Sequence, residues 1–249
     1  MSNPIRVLVL SALMFSLTIA AAFAQAPAAE PPAGPWTQQA SAGLALTSGN
    51  KDTSTVNAGY EVVYDPKTRN LWRTDGLFLR GKSEGLVTAD RLQLNGRDEY
   101  QLMDGVYAFG QLQYLRDQFK DIDYLFAPTG GLGYRIIDSP TLKLSVDGGL
   151  GAVWEKKPLL DVQTSGAVTW SEKLIYPISS VVTITQGVAA LYRADNFDDA
   201  LYTFNTALAA SMTEHTQLKV ELLDIYKRIV APGIENNDVA VIVGVVFKR

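Results

Sequence analysis

The chain has no cysteine and a single histidine, His215. An exported chain without thiols has neither a disulfide framework nor a thiolate metal site. One imidazole and no Gly-x-Ser-x-Gly segment leave serine-hydrolase chemistry without its usual parts, so the chain is not expected to be an enzyme. Beyond Val7 to Ala22 there is no comparably long uncharged apolar run, which excludes a bundle of membrane-spanning helices. Basic side chains are also scarce, with 22 Lys and Arg against 26 Asp and Glu. That balance argues against a nucleic-acid partner.

What is present begins with an export signal. Arg6 supplies the positive end, Val7 to Ala21 the apolar stretch, and Ala22-Phe23-Ala24 the small residues that a signal peptidase reads. A signal peptide over residues 1–24 is therefore expected, cleaved before Gln25. Residues 25–35, rich in Ala and Pro, read as a flexible leader, and residues 36–249 as one large domain.

Within that domain a two-residue beat runs almost from Trp36 to Arg249. Leu142, Leu144, Val146, Leu150, Ala152 and Trp154 alternate with Lys143, Ser145, Asp147, Gly149, Gly151 and Glu155. Successive side chains of a strand point to opposite faces, so one face here is apolar and the other mostly polar. Val56, Ala58, Tyr60 and Val62 against Asn57, Gly59 and Glu61 give the same pattern, as do Leu92 and Leu94 against Arg91, Gln93 and Asn95. Twelve such segments are expected: 36–47, 53–64, 70–82, 89–102, 106–117, 123–136, 141–155, 161–173, 179–194, 200–212, 216–229 and 238–248. Each is near the roughly 9 to 11 residues that a tilted strand needs to cross a bilayer. An even count suits an all-β, closed antiparallel transmembrane barrel, which leaves no open edge.

Short turns such as Asp65-Pro66-Lys67, Asp138-Ser139-Pro140 and Tyr176-Pro177-Ile178 follow the even segments, and longer, more acidic connections follow the odd ones. Aromatic residues including Trp36, Tyr64, Trp72, Tyr100, Trp154 and Tyr226 gather toward segment ends, where a membrane interface favours an amphipathic ring. Two places disturb the beat. Asp98 falls on an apolar face, and Leu222-Leu223 reads as a bulge or a change of register.

Leu46-Thr47-Ser48-Gly49-Asn50-Lys51-Asp52-Thr53, Arg116-Asp117-Gln118-Phe119 and Gly131-Leu132-Gly133-Tyr134-Arg135-Ile136-Ile137-Asp138, in this order, resemble the bacterial family of salt-induced outer membrane proteins. The resemblance spans Trp36 to Phe247. It implies an outer-membrane β-barrel of Gram-negative bacteria with no assigned biochemical role, not an enzyme, and only the family's name links it to salt. One departure is that Lys248 and Arg249 follow Phe247, where such barrels commonly end on an aromatic residue.

The glycine runs 130–133 and 148–151 lie inside strand patterns with no following helix, so they are expected to serve close strand packing and not phosphate binding. Asp117, Asp121 and Asp123, and Asp195, Asp198 and Asp199, are acidic enough for Ca²⁺ or Mg²⁺ but match no EF-hand spacing, and a plain solvated loop is the stronger reading. No cofactor is expected. The candidate functional residues are those of the presumed inner face: Glu61, Arg91, Arg97, Glu99, Arg135, Lys143 and Asp147. There, opposite charges would pair, bracing the barrel or lining a narrow path. The expected role is structural or that of a narrow, porin-like channel in the cell outer membrane. Its partners would be outer-membrane lipid, lipopolysaccharide and the barrel-assembly machinery. The competing expectation is a soluble periplasmic, lipocalin-like barrel with its apolar face inward around a small ligand.

Overall fold

The computed structural model describes residues 34–48, 53–83, 86–230 and 232–248, so the expected signal peptide and almost all of the leader lie outside the described residues. Twelve strands follow one another: Trp36–Ser48 (β1), Thr53–Tyr64 (β2), Asn70–Ser83 (β3), Leu86–Met103 (β4), Val106–Asp117 (β5), Ile122–Asp138 (β6), Lys143–Lys156 (β7), Gln163–Pro177 (β8), Val182–Arg193 (β9), Ala200–Ser211 (β10), Thr216–Lys227 (β11) and Asn237–Lys248 (β12). A 3₁₀ turn, Gln118–Lys120, joins β5 to β6. Each strand pairs antiparallel with its sequence neighbour, and β12 closes onto β1 from Gln39↔Lys248 to Ser48↔Val239. The barrel therefore has a terminal end, where β1 starts and β12 stops, and a loop end opposite.

Turn chemistry at the terminal end matches the residues present. Lys67 lies in the left-handed region at φ 59° while the Asp65 carboxylate accepts its backbone N–H at 3.0 Å. Gly105, at φ 74°, closes the β4–β5 turn where a side chain would be strained. The β8–β9 turn lies further along than expected. Pro177 still pairs with Thr183, and the Ser179 hydroxyl accepts the N–H of Val182 at 3.1 Å, so the reversal is built on serine and not on proline.

Rows of partners climb steadily round the wall. From Gln39, the fourth residue of β1, they pass through Glu61, Asp75, Asn95 and Gln113 to Ala127, only five residues from the loop-end start of β6. Strands thus run oblique to the barrel axis, as closure of a twisted sheet demands.

The outer face is apolar. Leu44, Val56, Leu112, Leu132 and Leu150 are 54 to 69% exposed, an arrangement opposite to that of a water-soluble lipocalin-like barrel. Two belts of rings bound this surface. Trp36 meets Tyr64 and Trp72 at centroid distances of 4.5 and 6.3 Å near the terminal end. Near the loop end Phe126 stacks on Trp154 at 5.9 Å, and Tyr202 joins Tyr192 and Tyr226. Asp98, the misplaced acid, lies opposite Trp72 in the terminal-end belt and accepts a hydrogen bond from Asn70 at 3.0 Å. A carboxylate at that level is beside the headgroups of any bilayer that the belts would bracket.

Inside, the loop half has a hydrophobic core of its own. Leu79, Leu115, Val153, Leu191, Leu201 and Ile225, from six different strands, are at most 6% exposed and belong to one cluster with Leu223 and Ile242. This explains the disturbance at Leu222-Leu223. Strand β11 keeps a constant register with both neighbours, so neither the expected bulge nor a register change is present. Leu223 simply points into an interior that is apolar at its level.

Candidate functional site

The strand period orders the interior into layers. On β5, β7, β9 and β11 the buried apolar residues Leu115, Val153, Leu191 and Ile225 are each followed two positions later, on the same face and nearer the loop end, by Asp117, Glu155, Arg193 and Lys227. A charged mouth therefore sits directly over an apolar neck. Moving the other way from Leu115, the face of β5 carries Gln113 and Gln111, then Phe109 and Tyr107.

Nearest the terminal end, Arg97 is the hub. Its guanidinium reaches Glu99 at 2.8 Å, Gln111 at 2.8 Å and Asp147 at 2.7 Å, and lies 4.0 Å from the centroid of the Phe109 ring. Asp147 also accepts from Ser171 at 2.8 Å and from Tyr107 at 3.3 Å. Arg135 stands 3.4 Å from Glu99 and donates to Gln101 at 2.8 Å, with its guanidinium 4.9 Å from the Tyr107 ring. Glycine makes room for these rings. A Cβ on Gly133 would fall 2.2 Å from Tyr107 and one on Gly149 2.9 Å from Phe109, so the glycine runs serve packing.

Above this floor lies a cavity of about 50 Å³ bordered by Gln111, Gln113, Thr169, Ser171 and Thr203, with Leu191 and Leu201 at its roof. Amide and hydroxyl groups at that volume suit a few water molecules. Beyond the neck the mouth is laced with ion pairs. Arg91 holds Asp117 at 2.5 Å, both almost fully buried. Glu155 accepts from Lys227 and stands 3.9 Å from Arg193, which also grips Asp195 at 3.0 Å. Lys120, at the tip of the β5–β6 connection, reaches Asp238 at 3.1 Å.

The seven residues expected on the inner face therefore do not act as one set. Arg97, Glu99, Arg135 and Asp147 share the floor network, and Glu61 lies in the same half, 3.4 Å from Arg73. Arg91 belongs to the mouth, on the far side of the neck. Lys143 is at the terminal rim, more than half exposed and bound to Asp138 at 3.0 Å. Its odd number gives it the inner parity, but β7 has only just begun there. Lys120, Glu155, Arg193, Lys227 and Asp238 were not among the candidates. Their one signal is position: each of the last four stands two residues from a buried apolar residue of its own strand.

Four of the six acids in the acidic loops, Asp117, Asp195, Asp198 and Asp199, lie against cations of the chain itself. Asp117 binds Arg91, Asp198 meets Arg228 at 2.8 Å, and Arg193 stands 3.7 Å from Asp199. Among the described residues no group of three or more His, Asp or Glu is placed to hold a metal ion. The Arg193 guanidinium, with help from Ser165, pulls the Asp195 carboxyl down to about 2. Burial pulls the Lys120 ammonium below the ordinary lysine range, and Asp238 restores only part of it.

Comparison with known proteins agrees with this architecture. An uncharacterized protein, YdiY, of Escherichia coli strain K12 is 24% identical over 192 residues, covering 75% of this chain and 72% of its own. Among solved structures, the NanC porin superposes with a TM-score of 0.57 at 13% identity, over 84% of this chain and 98% of its own. An outer-membrane channel from Pseudomonas putida F1 gives 0.51 at 12% identity, over 91% and 100%. The likeness to both is one of fold, a closed barrel with an exposed apolar surface. Residues 40–248 match the family described as "Protein of unknown function, DUF481", and the chain belongs to that family.

Proposed function

We propose that this protein is an outer-membrane channel held closed at rest, with its termini in the periplasm and its longer connections outside. The observation that carries this reading is the apolar neck. Leu79, Leu115, Val153, Leu191, Leu201 and Ile225 close in from around the wall and are almost wholly buried, so the lumen at that level is filled by side chains. A hydrophobic constriction of this kind bars ions by excluding water. The floor network and the amide-lined cavity lie on the periplasmic side of it, a polar vestibule that would receive a small hydrophilic solute.

The polar vestibule and the exposed apolar exterior both favour passage over catalysis. In this reading the exterior is covered by lipid and lipopolysaccharide, and the chain reaches the membrane through the barrel-assembly machinery. A link with salt or osmotic stress, which the family resemblance implied, would act at the mouth, where exposed pairs such as Arg228–Asp198 are open to screening.

Planar-bilayer recording tests the proposal. The unmodified protein should conduct far less than a general porin of 16 to 18 strands, which leaves an aqueous channel. Replacing Leu115 and Leu191 together by Ser should hydrate the neck and raise the current. Large currents from the unmodified protein, or none from the double variant inserted in the same bilayer, would overturn the reading.

A further inference from the structure

Lys120 stands at the tip of the β5–β6 connection, and the β11–β12 connection lies six strands away, half the circumference of the barrel. Their separation should put them at opposite points of the rim. Yet the Lys120 ammonium donates to the carbonyl oxygens of Glu235 at 3.1 Å and Asn236 at 2.8 Å, besides its contact with Asp238. Its side chain has no exposed surface. A single amino group thus spans the diameter of the mouth, immediately over the neck. The charges that face it are Arg91 on β4, Asp117 on β5 and Asp238 on β12, while Asp224 on β11 lies on the outer face of its strand.

Resting on the closed-channel reading, we infer that Lys120 is the latch of a lid, drawing the β5–β6 and β11–β12 connections together while its ammonium is charged and releasing them when that charge is lost. Two carbonyl acceptors and a carboxylate satisfy an ammonium's three donors, and a neutral amine keeps only two. Because burial already weakens the proton's hold on Lys120, alkali reaches this latch sooner than it would a solvated lysine. Salt reaches it poorly, since a side chain without exposed surface is little screened.

The full mature chain in planar bilayers and in nanodiscs provides the test. Lys120→Met keeps the length of the side chain and removes its charge. Introduced into the Leu115 and Leu191 neck variant, where the mouth is the closure that remains, it should raise the open probability by about tenfold or more, the size expected from losing charge-assisted hydrogen bonds. As the pH is raised toward the ordinary lysine range the neck variant should open further, while with Lys120→Met added it should no longer respond and with Lys120→Arg added its current should stay at the starting level. An unchanged current when Lys120→Met is added to a conducting neck variant overturns the latch and leaves the channel standing.

A second measurement does not depend on current. The chain has no cysteine, so Gln118→Cys and Pro232→Cys can be spin-labelled without background. The distance between the labels should lengthen and broaden in Lys120→Met and at alkaline pH. If neither occurs the latch is refuted, and if the labels part while no variant conducts, the channel reading fails instead.

Discussion

At the scale of single residues, the interior is governed by where charge finds a partner. Arg97 is enclosed by two carboxylates, an amide and an aromatic face, and its side chain is 14% exposed. Removing one member of such a set leaves buried charge uncompensated, so Arg97→Ala should destabilise the barrel by about 3 to 5 kcal/mol in urea unfolding from lipid vesicles. Arg97→Lys should recover only part, because an ammonium cannot bind in a planar fork while stacking on Phe109. Full recovery would show that charge alone matters there. Asp195 gives a test in pH. Its folded value is depressed to about 2, so the pairing with Arg193 contributes in full above the ordinary carboxylate value of 3.8 and is lost progressively as pH falls from there through about 2. A carboxyl carbon NMR titration of Asp195 should find its midpoint there, and an ordinary midpoint near 3.8 would refute the pair.

At the scale of elements, depth within a strand decides what a substitution does. Leu150 is the eighth of fourteen residues in β7 and 69% exposed, whereas Leu144 is the second, next to the rim pair of Lys143. Leu150→Arg should therefore cost about 2 to 4 kcal/mol of membrane stability and Leu144→Arg about 0 to 1. Equal costs would contradict the placement of the apolar band. The β1–β12 seam is sensitive for another reason. Gly43 lies opposite Gly244, and a Cβ on Gly43 would fall 1.9 Å from the carbonyl oxygen of Val243. Gly43→Val should block closure, seen as loss of the fast-migrating unboiled form on a gel, while Ala42→Val on the exposed face should migrate normally. The strands themselves were legible in the sequence to within a few residues because backbone pairing imposes a period of two whatever the environment. Polarity was the weaker guide. Leu223 looked like an error only because an inner face was assumed to be polar throughout.

For the whole molecule, the decisive relations join distant parts of the chain. Lys120 and Asn236 are 116 positions apart and Lys227 and Glu155 are 72, distances over which a single sequence carries no pairing signal. The floor was partly readable because Arg97 and Glu99 are two residues apart on one strand; the neck and the mouth were not. A barrel with every strand paired and a core inside its loop half should resist cold detergent. The protein should sit in the outer-membrane fraction and run faster unboiled than boiled. Release by salt washing would refute the membrane reading.

The four tryptophans carry a consequence for how the barrel enters a bilayer. Trp36 and Trp72 sit in the terminal-end belt, Trp154 in the loop-end belt, and Trp170 faces outward between them, hydrogen-bonded to Tyr192. If the barrel enters from the periplasmic side with its termini left behind, as proposed above, Trp154 travels through the whole hydrocarbon layer while Trp36 stays in the leaflet it first touches. The chain is thus its own optical depth gauge. Lipids brominated at known carbons should quench single-tryptophan versions in a fixed order of time, and that order would show which wall of the barrel crosses first.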